Sequence, residues 1–315
     1  HCIMRIIVTG GAGFIGSHLI RKLLCAGHVV LNIDNLTYAA DLQRLADHPF
    51  VHFRSIAYPH GQASDSSDPS AEFSPKSGDQ SKHYFTRLDL SQADDLYPTL
   101  QLFQPDAIFH LAAETHVDRS IGGPAAFVAS NVVGTANLLD ATLRFWRSLE
   151  PTRSDRFRYL QMSTDEVYGS LGDTGTFTEA SGYDPRSPYS ASKAAADHLV
   201  RAYWSTYGLP IMVTHSCNNF GPGQHAEKLI PTVLRACLEQ QSIPVYGSGQ
   251  NVREWIYVED CCDALMAVLA RGGIGESYNI GSGNEWKNLD LVRLICCLMD
   301  RMLPRADGKP YAEQI

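Results

Sequence analysis

Along the chain, short runs of consecutive apolar residues alternate with longer stretches in which apolar residues recur every three or four positions. Arg5 to Thr9 is apolar and rich in β-branched residues after its arginine, the pattern of a strand buried on both faces. Phe14 to Ala26 places Ile15, Leu19, Leu23 and Leu24 at helical spacing, and Gly27 supplies a stop. Val29 to Asp34 reads as a second strand, and Ala107 to Leu111 and Tyr159 to Ser163 as further buried strands. Helical patterns lie between them, notably Asn131 to Leu149. Such alternation predicts an α/β fold, a doubly wound parallel sheet covered by helices on both faces.

Two stretches depart from this rhythm. From about Ala57 to Lys82 the chain is rich in Ser, Asp, Gly, Gln and Pro, and a flexible surface insertion is expected at about 57–82. After about residue 214, strand-like pieces such as Pro244 to Gly247 alternate with short helices and loops. The expected division is therefore 1–214 for a nucleotide-binding domain and 215–315 for a mainly substrate-binding region.

The 315 residues suffice for one large α/β domain or two modest ones, with 44% apolar residues to bury. Lys and Arg number 26 against 34 Asp and Glu, a net charge of −8. That balance argues against a nucleic-acid or polybasic membrane partner. No apolar run approaches the roughly 18 residues of a membrane span, and the N-terminal segment lacks the layout of an export signal. The eight cysteines form no C-x-x-C pair, and Cys261-Cys262 and Cys296-Cys297 are sequence neighbours. This suits free thiols in a reducing cytoplasm better than a disulfide framework or a zinc site, and no metal is expected.

Chemistry enters with Gly10-Gly11-Ala12-Gly13-Phe14-Ile15-Gly16, a G-x-x-G-x-x-G run between a predicted strand and a predicted helix. Glycines let the backbone turn and approach a pyrophosphate, and the helix N-terminus presents N–H groups to it. Asp34 follows 18 residues after Gly16, at the end of the second predicted strand. A carboxylate there accepts from ribose hydroxyls and repels a 2′-phosphate, which favours NAD over NADP. Tyr189 and Lys193 form Y-x-x-x-K, one helical turn apart on one face. An ammonium beside a phenol favours the phenolate, so Tyr189 is expected to be a base with its pKa lowered by Lys193 and the cofactor's cationic ring.

These two motifs together resemble the extended short-chain dehydrogenase/reductase family. Ser163-Thr164-Asp165-Glu166-Val167-Tyr168-Gly169 narrows the resemblance to its nucleotide-sugar 4,6-dehydratases. Further matching stretches are Asp34 to Ala39, Ala112 to Ser120, Ser187 to Lys193, Asn218 to Pro222, Glu227 to Pro231 and Val252 to Asp260. The resemblance implies a Rossmann sheet with a smaller C-terminal substrate-binding α/β region, bound NAD, dTDP-glucose as the nucleotide-sugar substrate and a homodimer. It implies a lyase acting through internal redox: oxidation at sugar carbon 4, elimination of water across carbons 5 and 6, and reduction at carbon 6. Tyr189 and Lys193 would serve the oxidation, with Thr164 bonded to the reacting hydroxyl. Glu166 would be the base at carbon 5 and Asp165 the acid at carbon 6.

For the cofactor the resemblance implies Gly10, Gly13, Phe14, Ile15 and Gly16 at the pyrophosphate, and Asp34, Asn35, Leu36 and Thr37 at the adenosine ribose. Asp89 and Leu90 would flank the adenine. Leu111, Ala112, Ala113 and Thr115 would line the cofactor, with Ser130 and Asn219 nearby, and Tyr189 and Lys193 would touch it as well. For the substrate it implies contacts from Thr115, Thr164, Asn218, Lys228, Leu229 and Asn288, with Pro244 and Tyr246 against the base and Arg253 on the diphosphate. Several positions depart from the family pattern: Thr115 for serine, Phe220 for tyrosine, Glu254 for aspartate, Cys261 for histidine, and the loop Gly223 to Ala226. The chain ends at Ile315, before the family's D-R-P-G-H-D segment, so the substrate region is expected to be incomplete. A UDP-sugar epimerase or decarboxylase, and a catalytically silent NAD-binding module, are the alternative readings; the adjacent Asp165 and Glu166 count against the former.

Overall fold

The computed structural model describes residues 3–53, 82–115, 117–171, 175–245 and 247–315. The insertion expected at about 57–82 lies outside them except for Lys82. The strands are β1 (Arg5–Thr9), β2 (Val29–Asp34), β3 (Val51–His52), β4 (His83–Arg87), β5 (Ala107–His110), β6 (Arg158–Thr164), β7 (Ile211–Ser216), β8 (Asn218–Phe220), β9 (Val252–Tyr257), β10 (Ser277–Ile280) and β11 (Glu285–Lys287). The helices are α1 (Phe14–Cys25), α2 (Leu96–Phe103), α3 (Val117–Gly122), α4 (Pro124–Phe127), α5 (Gly134–Arg147), α6 (Pro151–Ser154), α7 (Pro188–Tyr207), α8 (Leu229–Glu239), α9 (Val258–Arg271) and α10 (Asn288–Met302).

The chain forms two compact units, His1–Ser216 with Cys262–Asn279, and Cys217–Cys261 with Ile280–Ile315. An eight-stranded sheet dominates the first, in the order β10-β7-β6-β5-β1-β2-β4-β3. From β3 through β7 every neighbouring pair is parallel. The order reverses between β1 and β5, as in a doubly wound Rossmann sheet, and such sheets bind ligands at the strands' carboxyl ends. Ile7, Leu31, Ile108, Tyr159 and Ile211 fill the sheet interior, with Leu96, Phe103, Leu138 and Phe145 packed on them from the helices. Being covered on both faces, these strands read as continuous apolar runs rather than alternating ones.

The second unit has a three-stranded sheet in the order β11-β9-β8, antiparallel between β11 and β9 and parallel between β9 and β8. Val233, Cys237, Leu291, Val292, Ile295 and Cys296 form its core with Trp255.

Two expectations need correcting. The helix expected from Asn131 is preceded by a π-helical stretch, Val128–Val133, that runs into α5. The segment at Pro244 is not a strand: Pro244 and Val245 are irregular, and Tyr246 lies outside the described residues. Proline brings no N–H to a ladder, and it is the neighbouring Ile243 N–H that bonds, to the Gln314 carbonyl at 2.7 Å.

Candidate active site

Thr9, Asp34, Arg87, His110 and Thr164 close adjacent strands at the carboxyl edge of the large sheet. After Thr9 the chain turns at Gly10, with φ +71°. A Cβ there would stand 2.8 Å from the Cα and N of Ala112, so only glycine lets the loop after β5 come this close. A Cβ on Gly16 would overlap the Gly10 carbonyl. Gly13 begins α1 with no side-chain cap, and the first turn carries no acidic residue. The N–H groups at the start of α1, around Phe14, Ile15 and Gly16, are thus left for an outside acceptor. This cradle fits a pyrophosphate.

Asp34 is buried and ties the loop together. Its Oδ2 accepts from the Ala12 N–H at 3.0 Å and its Oδ1 from the Leu36 N–H at 2.8 Å. Burial pushes its pKa up, against the pull of those two N–H groups and of the Arg44 charge. Each oxygen keeps a further acceptor site, so the carboxylate can also receive ribose hydroxyls. Leu36 is held at φ +58° beside half-buried Asn35, and Thr37 is exposed. Leu90 is buried against Gly134, its carbonyl accepts from Asn137 at 2.9 Å, and Asp89 caps Ser91 at 2.9 Å.

The loop after β5 is set by residues that the sequence reading did not single out. His110 Nδ1 lies 2.7 Å from Thr9 Oγ1 and Nε2 lies 2.9 Å from Thr135 Oγ1. Thr135 donates to the Asn131 carbonyl at 2.6 Å, so its oxygen is the acceptor for Nε2–H, and Nδ1 accepts from Thr9. Both ring positions of a neutral imidazole are therefore used. Complete burial, with the nearby Lys193 charge second, brings the His110 pKa down to about 3. Asn131, on the π-helical stretch that also carries half-buried Ser130, accepts from Glu114 N–H at 2.8 Å and donates to Glu114 O at 3.0 Å. The widened turn delivers Asn131 to this clamp, which fixes the course of half-buried Leu111, Ala112 and Ala113 and of exposed Thr115.

At the end of β6, Thr164 caps a 3-10 turn, Asp165–Tyr168, by accepting from the Glu166 N–H at 3.3 Å. Ser187 begins α7 in a reciprocal capping box with Ser190, and Pro188 occupies the first turn. That register places Tyr189 and Lys193 on the buried face of α7. Tyr189 hydrogen-bonds Thr164 and lies in the field of Glu166 and Asp165, while the Lys193 ammonium donates to the Met162 carbonyl at 2.7 Å. The structure thus brings Thr164, Asp165, Glu166, Tyr189 and Lys193 to one place. The phenol's electrostatics differ from expectation: its pKa is pushed above the ordinary tyrosine value. Burial is the main cause and the Glu166 charge the next, and together they outweigh the Thr164 hydrogen bond. Burial also lowers the Lys193 pKa, opposed by the Asp197 charge.

A buried polar network beneath these residues was also missed. Asp197 Oδ2 accepts from Ser163 Oγ at 2.6 Å and from Tyr183 OH at 3.1 Å. Tyr183 OH lies 2.6 Å from His215 Nε2, and Tyr168 OH lies 3.1 Å from His215 Nδ1 and donates to Asn279 at 2.8 Å. Burial raises the Tyr168 pKa to about 12. The available signal was the helical spacing of Asp197, four residues beyond Lys193.

The second unit holds most of the residues expected at the substrate. Asn218 and Asn219 lie on β8, and Asn219 Nδ2 donates to the Cys217 carbonyl at 3.0 Å. Lys228 and Leu229 stand at the start of α8, which has no side-chain cap. Asn288 opens α10, and its Oδ1 is buried without a hydrogen-bond partner among the described residues. Pro244 is exposed, as is Arg253 on β9, which donates to the Val252 carbonyl at 2.9 Å. Glu254 accepts from the N–H groups of Ser282 and Gly283 at 2.5 and 2.6 Å, so the departure from aspartate closes a turn. Phe220 packs at 5.6 Å on Tyr257, and Cys261 is buried. Among the described residues no cluster could hold a metal ion, and no helix is long and apolar enough to cross a membrane.

A doubly wound sheet with a glycine cradle, a buried carboxylate at the end of β2 and a Tyr–Lys helix defines a dinucleotide-dependent enzyme fold. The NAD dependent epimerase/dehydratase family matches residues 6–281, and the chain belongs to it. A dTDP-glucose 4,6-dehydratase of Xanthomonas campestris pv. campestris (strain B100) is 47% identical over 309 residues, covering 98% of this chain and 80% of that protein. The dTDP-glucose 4,6-dehydratase 1 of Escherichia coli K12 is 44% identical over 322 residues, covering 99% and 81%. Among solved structures, the DesIV double mutant (dTDP-glucose 4,6-dehydratase) of Streptomyces venezuelae, with NAD and DAU bound, superposes with a TM-score of 0.77. It is 38% identical, over 97% of this chain and 83% of that one.

Proposed function

We propose that the protein is a dTDP-glucose 4,6-dehydratase, a hydro-lyase working through bound NAD. The observation that carries this reading is the assembly of Thr164, Asp165, Glu166 and Tyr189 around the end of β6, together with relatives of that name. The first unit holds the dinucleotide: the Gly10–Gly16 loop the pyrophosphate, Asp34 to Thr37 the ribose, Asp89 and Leu90 the adenine, and Leu111 to Thr115 with Ser130 the remainder. Bound NAD supplies a reversible hydride acceptor. Tyr189 takes the proton of the carbon 4 hydroxyl, and Thr164 orients that hydroxyl. Lys193 stabilises the phenolate. Glu166 removes the proton at carbon 5, made acidic by the ketone, and Asp165 protonates the hydroxyl leaving carbon 6. The two acids act in opposite protonation states, so each must hold its proton differently in the loaded site.

The second unit takes the nucleotide. Arg253 pairs with the diphosphate as a fork of N–H donors. Asn288, whose carbonyl oxygen is buried and without a hydrogen-bond partner among the described residues, accepts from the substrate. Asn218, Lys228 and Leu229 complete the contacts, with Pro244 and Tyr246 at the thymine and Asn219 at the cofactor. A homodimer is part of the same reading. Trp204 and Tyr207 are exposed on α7, whereas Val200 is fully buried and Leu199 and Tyr203 pack on the chain's own core, so the α7 face offered to a partner is centred on Trp204. Cys25, Cys237, Cys296 and Cys297 are free thiols, which suits a cytoplasmic location.

The test is mass spectrometry of dTDP-glucose and UDP-glucose incubated with the protein in deuterated water. The expected product from dTDP-glucose has lost one water and carries one solvent deuterium at carbon 5. If neither sugar changes while NAD is released on denaturation, the dehydratase reading is wrong.

A further inference from the structure

The face of α7 that carries the Tyr–Lys pair continues one turn further. Tyr189, Lys193 and Asp197 are spaced four residues apart, and all three side chains are buried. Each is tied to the end of β6: Tyr189 to Thr164, Lys193 to the carbonyl of Met162 at 2.7 Å, Asp197 to Ser163 Oγ at 2.6 Å. Asp197 has no exposed surface, and its Oδ1 has no hydrogen-bond partner among the described residues. A carboxylate so placed is costly unless a cation lies close by. The basic nitrogen found beside it is His215 Nε2, at 3.5 Å from Oδ2, and the fixed positive charge that feels the carboxylate is the buried Lys193 ammonium one helical turn away.

We propose that Asp197 is the positioning residue of the Tyr–Lys pair, a buried counter-charge that keeps Lys193 protonated and held against β6. The inference rests on the dehydratase reading for its activity arm and on the geometry alone for its stability arm.

The surroundings leave this role to Asp197. From β5, His110 faces Lys193 and brings no negative charge, its ring being used by two threonine hydroxyls. From β6 come Ser163 and the phenol of Tyr159, which feels the Asp197 charge. From β7, His215 Nε2 lies 3.5 Å from Asp197 Oδ2. Tyr183 donates to the carboxylate and receives Arg201 Nη2 at 3.3 Å. Glu166 and Asp165 act on Tyr189. Asp197 is also the group that opposes the effect of burial on the lysine.

The experiment compares the wild type with Asp197→Asn, Lys193→Met and the double variant, all as full chains with NAD. In Asp197→Asn the alkaline limb of the kcat profile is expected to move to lower pH by about one unit, as for loss of an opposite charge at ~4–6 Å. KM for dTDP-glucose should stay within about twofold while kcat falls at least ~10-fold, the split expected when only transition-state stabilisation is lost. A limb that stays in place, with only thermal stability lowered, overturns the proposal. The stability arm covers a single variant that does not fold. Removing one partner strands a buried charge, whereas removing both does not. The double variant is therefore expected to melt above Asp197→Asn, or to fold where that variant does not. Additive losses, with the double variant the least stable, overturn the pairing. A wild type without dehydratase activity would defeat the functional reading and leave the stability arm standing.

Discussion

Replacing His110 with glutamine should remove a specific part of the protein's sensitivity to acid. The folded-state pKa is about 3, and an unfolded histidine titrates near 6.5. Between those values the unfolded chain binds a proton that the folded chain refuses. The stability contribution is thus fully present above pH ~6.5 and is lost as pH falls toward the folded value. From pH 7 to pH 5, linkage gives a loss of about 2 kcal/mol. The cause is local: Nε2–H donates to Thr135, Nδ1 accepts from Thr9, and a second ring proton would face a hydroxyl already committed to donating. Urea unfolding of wild type and His110→Gln at pH 7 and pH 5 measures this directly. Glutamine adds a constant cost from poorer bonding to the threonines, and that cost cancels in the pH difference. Burial also lowers the pKa of His28 and His83, but both remain in the variant and cancel too. The wild type should lose about 2 kcal/mol more than the variant over this interval. Parallel losses in the two proteins would refute the buried, neutral imidazole.

Gly10→Ala should cost at least about 1–2 kcal/mol for the left-handed backbone, with a further penalty because Ala112 lies 2.8 Å from the new Cβ; urea midpoints and the NAD retained after gel filtration check this. Tyr189→Phe should lower turnover by about 10²- to 10⁴-fold, the range for a general base, while leaving NAD content unchanged, and steady-state kinetics with cofactor extraction separate the two. Arg253→Ala should raise KM by roughly 10- to 100-fold through loss of a charged hydrogen bond with little change in melting temperature, because the side chain is exposed on β9; a full substrate titration tests it.

The strands of the large sheet were legible because burial on both faces makes them apolar without interruption, and β1 and β2 fall where the pattern placed them. The glycine cradle was legible because its geometry tolerates no side chain. Short strands such as β3, β8 and β11 were not, since two or three residues carry no periodicity. Asn131 escaped notice because its work is done on a backbone 17 residues away, through a π-helical turn that residue spacing does not encode. The same holds for His215 and Asp197, which are 18 residues apart in the chain and meet only once β7 lies beside β6 and α7 covers both. A sequence motif shows residues that share an element; it does not show partners that tertiary packing supplies.

Two demands meet at the end of β6. In the proposed reaction, oxidation needs a phenol that gives up its proton, and elimination needs carboxyl groups beside the same sugar, whose charge holds that proton on the phenol. The fold separates them by depth. Asp165 and Glu166 sit half-buried on a 3-10 turn, where solvent screens part of their field, whereas Tyr189 and Lys193 lie on the buried face of α7. Even so, the Glu166 charge is the second cause of the raised phenol pKa after burial, and Asp165 adds to it. Burial and the Glu166 charge together leave the phenol above its ordinary pKa. The remaining shift must come from positive charge brought to the site, and the NAD dependent family to which the chain belongs uses a cofactor whose oxidised ring carries one. In the proposed reaction the base would then be strongest when the oxidised cofactor is in place, which is when oxidation at carbon 4 requires it.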